Sequence, residues 1–161
     1  MAETMEIMAE TNSSATPEQI WEFLGDPESY ARWWSDWHSA KTDEMPLAVG
    51  GAITMRTIDH DPERGGVNAI SDFHNYRMPI TVCEEPTRLY VRNNSVGTED
   101  LCFDLQPADG GGTRIIYRRI ANVPKMMKFL GNMMESRLRH NANESVRALA
   151  ALAEGRPVET L

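Results

Sequence analysis

A change of hydrophobic period at Pro124 leaves this chain few possible folds. Upstream, residues 50–121 run in short segments with period-two character, broken by the turn-forming stretches DHDPERGG, EEPT, SVGTED and PADGGG. Downstream, Leu130, Met134, Leu138, Asn141, Ser145 and Leu149 recur at helical spacing, with charges on the opposite side. The spacing predicts strands over 50–59, 67–84, 87–95, 99–107 and 112–121, further strands near 4–11 and 37–43, and a helix over 124–153. A strongly curved antiparallel sheet of about seven strands, wrapped around one long C-terminal helix, buries both apolar faces with short connections.

Two short helices follow the first strand. In ATPEQIWEFLGDP, Thr16 is placed as N-cap, Pro17 as the first helical residue and Gln19 as the third, a capping-box variant; Ile20, Phe23 and Leu24 give the apolar face. DPESYARWW repeats the logic with Asp26 and Pro27. The second helix ends in ARWWSDWHS, where Trp33, Trp34 and Trp37 fall within five positions of a chain whose only other tryptophan is Trp21. Packing at the mouth of a small domain is one use for so much indole; contact with a ligand is the other.

At 161 residues without a repeat or an internal linker, the chain reads as one domain over 1–155 with a tail at 156–161. No run of about 18 apolar residues exists and the N-terminal MAETMEIMAE is acidic, so the expectation is a soluble, cytoplasmic protein without stable membrane insertion. Cys83 and Cys102 stand apart, which favours reduced thiols, and the Asn-x-Ser triplets at Asn12, Asn93 and Asn143 carry no weight in that compartment. The formal charge of −8, from 24 acidic and 16 basic residues, repels polyphosphate and argues against a nucleic-acid partner. His38, His60, His74 and His140 lack metal-ligand spacing and no GxSxG or phosphate-cradling loop is present, so neither a metal nor another cofactor is expected. Asp72 and His74 share a strand face, without a third group to orient them.

Alternation along the strands supplies the first candidates for the interior. With Ile53 and Met55 inward, Thr57 follows and Arg56 faces out; Met78, Ile80 and Val82 form a second inward row. In RLYVRNN the pattern is open, because Leu89 and Val91 suit a core as well as their neighbours suit a polar site. Met126, Met127, Met133 and Met134 on the terminal helix can conform to varied apolar shapes, and Asn141 and Ser145 can supply hydrogen bonds.

The stretches ATPEQIWEFLGDPESYARWW, PLAVGG, EEPTRLYVR, FDLQPADGGGTRIIYR and LRHNANESVRALAALAEG together cover almost the whole chain. In that order they resemble the START-like (SRPBCC) superfamily with the helix-grip fold, which includes polyketide cyclases and aromatases, Bet v 1-like allergens, abscisic-acid receptors and heat-shock-ATPase activators. The resemblance implies an α+β helix-grip fold and an internal cavity, with Trp34 looking into it. Comparison with the abscisic-acid receptors turns Tyr90, Arg92 and Asn94 inward. It likewise turns Thr113, Ile115, Tyr117 and Arg119 inward and leaves Arg114 and Arg118 in water. The expected wall comprises Trp34, Met55, Thr57, Ile80, Val82, Tyr90, Asn94, Phe103, Ile115, Leu130, Met134 and Asn141.

Arg92, Tyr117 and Arg119 are the catalytic candidates. An inward arginine needs an ionic partner, either a protein carboxylate or a carboxylate, enolate or phenolate of a ligand. Two functions follow: a cofactor-free polyketide cyclase, aromatase or dehydratase, in which Arg and Tyr polarise a carbonyl and stabilise an enolate, or a non-catalytic carrier or sequestering protein that holds a hydrophobic or aromatic molecule by shape. A chaperone-like role would act through exposed surfaces on which the sequence is silent.

Overall fold

The computed structural model describes residues 2–58, 73–94, 97–124 and 128–158. Seven strands, β1 (Ala2–Ser13), β2 (Ser39–Lys41), β3 (Ala52–Ile58), β4 (Phe73–Glu84), β5 (Arg88–Asn93), β6 (Thr98–Pro107) and β7 (Thr113–Pro124), form one antiparallel sheet in the order β1-β7-β6-β5-β4-β3-β2. Between β1 and β2 lie α1 (Pro17–Leu24), a 3-10 turn (Pro27–Ser29) and α2 (Tyr30–Trp33). The long helix α3 (Lys128–Ala153) packs against β1, β7, α1 and α2, so the curved sheet grips it. This is the curved sheet around a terminal helix expected from the change of period, and the helix-grip architecture that the resemblance implies.

Local chemistry sets the element ends. Thr16 accepts from the Gln19 backbone N–H at 3.1 Å while the Gln19 side chain accepts from the Thr16 N–H at 2.8 Å, completing the expected capping box on α1. Asp26 accepts from the Glu28 N–H at 3.2 Å and opens the 3-10 turn. Two boundaries differ from expectation. The stretch up to Pro124, where a helix was expected to begin, instead closes β7, because β1 continues its ladder as far as Ala2 opposite Pro124. β2 is shorter than 37–43 because the Trp37 N–H turns back to the Trp34 carbonyl at 3.1 Å, so the chain is still in a turn at Trp37. The expected strand at 67–72, the DHDPERGG stretch, Asp72, Met126 and Met127 lie outside the described residues, as do the side chains of His74 and Met133.

The β6–β7 hairpin turns on Gly110, Gly111 and Gly112, all at positive φ. At Gly112 (φ +80°) a Cβ would sit 2.2 Å from the Ser13 carbonyl oxygen, so the hairpin closes hard against the end of β1; at Gly110 (φ +82°) nothing lies within 4 Å. Gly110→Ala is expected to cost about 1–2 kcal/mol for the left-handed backbone alone, whereas Gly112→Ala adds a backbone clash and must cost clearly more. Thermal melts of the pair check this; equal losses would mean that the hairpin does not touch β1.

Candidate functional site

The concave face of the sheet follows from which side chains its register buries. Ala9, Tyr117, Phe103 and Leu89 form one lateral row across β1, β7, β6 and β5, and Ile7, Arg119, Leu101 and Val91 form the next. All are buried except Arg119, which keeps 11% of its side chain exposed. Above the first row sits the end of α2. The Phe103 and Tyr117 rings stack with centroids 4.4 Å apart, and the Trp34 ring stands edge-on to both, at 5.0 and 5.6 Å. Trp33 stacks on Trp34 at 5.3 Å, and Tyr30 and Trp37 meet Trp34 edge-on. The crowded indoles of ARWWSDWHS are therefore the lid of an aromatic cluster in the grip of the sheet, consistent with the preference of rings for stacked and edge-to-face contact.

Polar atoms in this cluster are oriented. Trp34 Nε1 donates to the Tyr117 hydroxyl at 3.3 Å, Trp33 Nε1 to Ser29 Oγ at 3.1 Å and the Tyr30 hydroxyl to the Leu24 carbonyl at 2.5 Å. Burial pushes the Tyr117 phenol well above its ordinary pKa, and the nearby Arg119 charge only partly opposes this. Tyr117 is consequently a neutral phenol whose oxygen accepts from Trp34.

One end of the concave face is ionic. Arg119 grips Glu99 with a fork, Nε to Oε2 at 3.1 Å and Nη2 to Oε1 at 3.0 Å, and reaches Asp36 from Nη1 at 3.2 Å. Asn141 donates to the other Asp36 oxygen at 3.3 Å, and Ser145 accepts from the Ser35 backbone N–H at 3.0 Å. Side-chain exposures of 11% for Arg119, 9% for Asp36 and 18% for Glu99 put the triad almost out of water. Burial alone would favour a neutral Arg119, but the Asp36 and Glu99 carboxylates outweigh it and hold its pKa above the ordinary value. β7, β6 and α3 thus clamp residues 34–36 over the interior.

The sequence-derived candidates divide accordingly. Trp34, Met55, Ile80, Phe103, Ile115 and Tyr117 are buried on the concave side, and Arg119 and Asn141 meet through Asp36. Thr113 is buried while Arg114 and Arg118 point outward, to Glu10 and Asp104 respectively. The side chains of Thr57, Leu130 and Met134 lie outside the described residues.

Four expectations are overturned. On β5 it is Leu89 and Val91 that face in, at 2% and 1% exposure, because they complete the rows begun by Phe103 and Leu101. Tyr90, Arg92 and Asn94 therefore leave the interior, since a one-residue change of phase moves every side chain to the other face. Tyr90 donates to Asp104 on the convex side, Arg92 pairs with Asp100 at 2.7 Å with 45% of its side chain exposed, and Asn94 is exposed beyond the strand end. Val82 is the fourth. A β-bulge between Ile80 and Val82 pairs Ile80 with inward Val91 but Val82 with outward Tyr90, so Cys83, opposite Leu89, takes the inward position.

Sequence reasoning missed Asp36 and Glu99. Period two in GTEDLCFDL puts Glu99 on the same face as Leu101 and Phe103, which was the available signal for Glu99; nothing local marks Asp36. Both cysteines are free thiols, and burial raises Cys102 to about 11. Among the described residues no group of three or more His, Cys, Asp or Glu side chains could hold a metal ion, and no helix is long and apolar enough to cross a membrane. A separate polar groove of about 490 Å3, lined by Lys41, Asp43, Glu44, Thr54, Asn75 and Arg77, opens beside β2–β4.

The family model for polyketide cyclase / dehydrase and lipid transport proteins matches residues 5–154. The chain belongs to that family. No curated protein matches the sequence significantly. Among solved structures it is similar to a protein of unknown function from Staphylococcus aureus, with a TM-score of 0.72, 12% identity and 96% of each chain covered. It is also similar to the ZhuI aromatase/cyclase from Streptomyces sp. R1128, with a TM-score of 0.69, 12% identity and 94% of each chain covered. A third similarity is to the di-domain ARO/CYC BexL from the BE-7585A biosynthetic pathway, with a TM-score of 0.71, 14% identity, 96% of this chain and 51% of that one covered. Likeness at such low identity speaks to the fold; what a family member does must be argued from its own site.

Proposed function

We propose that the protein binds a hydrophobic or aromatic, polyketide-like molecule on its concave side and promotes its ring closure or dehydration, with Tyr117 as the hydrogen-bond donor to the reacting carbonyl. The observation that carries this reading is the Tyr117 hydroxyl: held neutral by burial, it accepts from Trp34 Nε1 at 3.3 Å and keeps its own proton for a hydrogen bond to a ligand oxygen. Accepting one hydrogen bond strengthens the one it donates. A ligand carbonyl within reach of that proton would be polarised, and the alkoxide that develops on its oxygen as an enolate carbon attacks it would gain most from it. The aromatic walls Trp34 and Phe103 hold the chain in the folded shape that brings reacting carbons together. Arg119 acts as a positioning residue, because Asp36 and Glu99 already neutralise its guanidinium.

That same neutralisation favours a second reading, carriage without chemistry. An arginine committed to two protein carboxylates offers no spare charge to an anionic intermediate. Incubation with a poly-β-ketone thioester, with binding and cyclised product followed in parallel, separates the two. Product formed above the spontaneous rate supports the enzyme; binding without product supports the carrier; neither binding nor product would remove the interior ligand site altogether.

A further inference from the structure

The indole of Trp37 is 9% exposed, yet its Nε1 is out of reach of solvent and has no hydrogen-bond acceptor among the described residues. This sets it apart from its neighbours, since Trp33 and Trp34 each have a partner for the same N–H. A buried donor left without an acceptor is costly, and native proteins keep such groups rarely. The ring itself is well placed: it stands edge-on to Trp34 at 6.1 Å and to Tyr76 at 6.3 Å, on the side of Trp34's cluster nearest β2 and β3. Its backbone is pinned as well, through the Trp37 N–H to the Trp34 carbonyl at 3.1 Å and the neighbouring His38 N–H to the Arg56 carbonyl at 2.7 Å. A rigid indole presenting an unmet donor inside an aromatic cluster has the form of a recognition group waiting for a complementary oxygen.

We infer that Trp37 is a specificity-determining residue whose Nε1–H binds an oxygen acceptor of the ligand, one ring away from Tyr117 across Trp34. This rests on the interior ligand site proposed above and narrows its ligand class. The ligand is a fused or extended aromatic or polyene body carrying at least two oxygen acceptors set apart along its length, one for Tyr117 and one for Trp37. A bare hydrocarbon or a fatty chain with a single terminal head group meets the aromatic rings but leaves one donor unmet, and a site built around buried donors discriminates against such molecules.

The test uses anthraquinone and anthracene, which share a skeleton and differ by two carbonyl oxygens, with affinities from equilibrium dialysis so that no readout depends on indole fluorescence. Wild type is expected to prefer anthraquinone by a factor of ten or more. Trp37→Phe keeps a ring in place and removes the donor; it should cut that preference by about ten-fold and leave anthracene affinity nearly unchanged. Full retention of the preference in Trp37→Phe overturns the inference. Should neither compound bind wild type, it is the interior site that fails; should both bind equally well, the site stands and the role of Trp37 falls.

Discussion

Replacing Arg119 with methionine is expected to lower stability by about 3–5 kcal/mol, the loss seen when one partner of a buried ion pair is removed. Methionine keeps most of the apolar stem, so the cost falls on what remains: Asp36 and Glu99, 9% and 18% exposed, facing each other with no cation between them. For a chain of this size that loss is roughly 6–20 °C in the thermal midpoint. Arg92→Met is the control. Its partner Asp100 sits with it on the convex face, where 45% of the arginine side chain meets water, and exposed pairs are worth at most about 1 kcal/mol. Differential scanning calorimetry of both variants compares the two faces directly, and equal midpoints would mean that the triad is not closed in solution.

Tyr117→Phe is the second large effect. The ring stays stacked on Phe103 at 4.4 Å, so the fold persists, while Trp34 Nε1 loses its acceptor. If the protein closes rings, turnover should fall about 100-fold or more with binding of apolar aromatics nearly unchanged, because the lost hydrogen bond strengthens only as charge develops. If the protein only carries its ligand, the same change costs about 1–3 kcal/mol of affinity for oxygenated ligands and there is no rate to lose. The pH profile adds a signature. Burial raises the Tyr117 pKa well above its ordinary value near 10, so its proton is present throughout the neutral and mildly alkaline range. A group whose folded pKa is raised contributes stability below its unfolded pKa and loses it above. An alkaline fall in turnover below pH 10 must then come from another group, and stability should begin to decline as pH climbs past about 10.

The fold was readable because burial and period agree almost everywhere. TRIIYRRI alternates cleanly and its neighbours leave one choice of face. RLYVRNN alternates as well, yet both of its phases contain plausible inward residues, and only the partners Phe103 and Leu101 on β6 decide between them. The resemblance to the abscisic-acid receptors implied the other phase, in which polar side chains take the place of two aliphatic ones worth about 1.5–3 kcal/mol each when buried. The ionic end of the site was half legible. An inward Arg119 demanded a carboxylate, but Asp36 is 83 residues away in sequence and reaches it only because α2 folds back over the sheet.

The bulge in β4 gives that strand two reading frames on one backbone. Ahead of it even-numbered residues such as Met78 and Ile80 belong to the interior; behind it the odd-numbered Cys83 does. Thr81 is the extra letter, exposed and held by a 3.3 Å bond from its hydroxyl to the Tyr90 carbonyl. Deleting it would leave one continuous alternation, with Ile80, Val82 and Cys83 still opposite Val91, Tyr90 and Leu89, and would remove only the bend and added twist that a bulge gives its strand. β4 thus carries its buried face unbroken past an inserted residue, and what Thr81 adds is curvature in the wall that faces the helix.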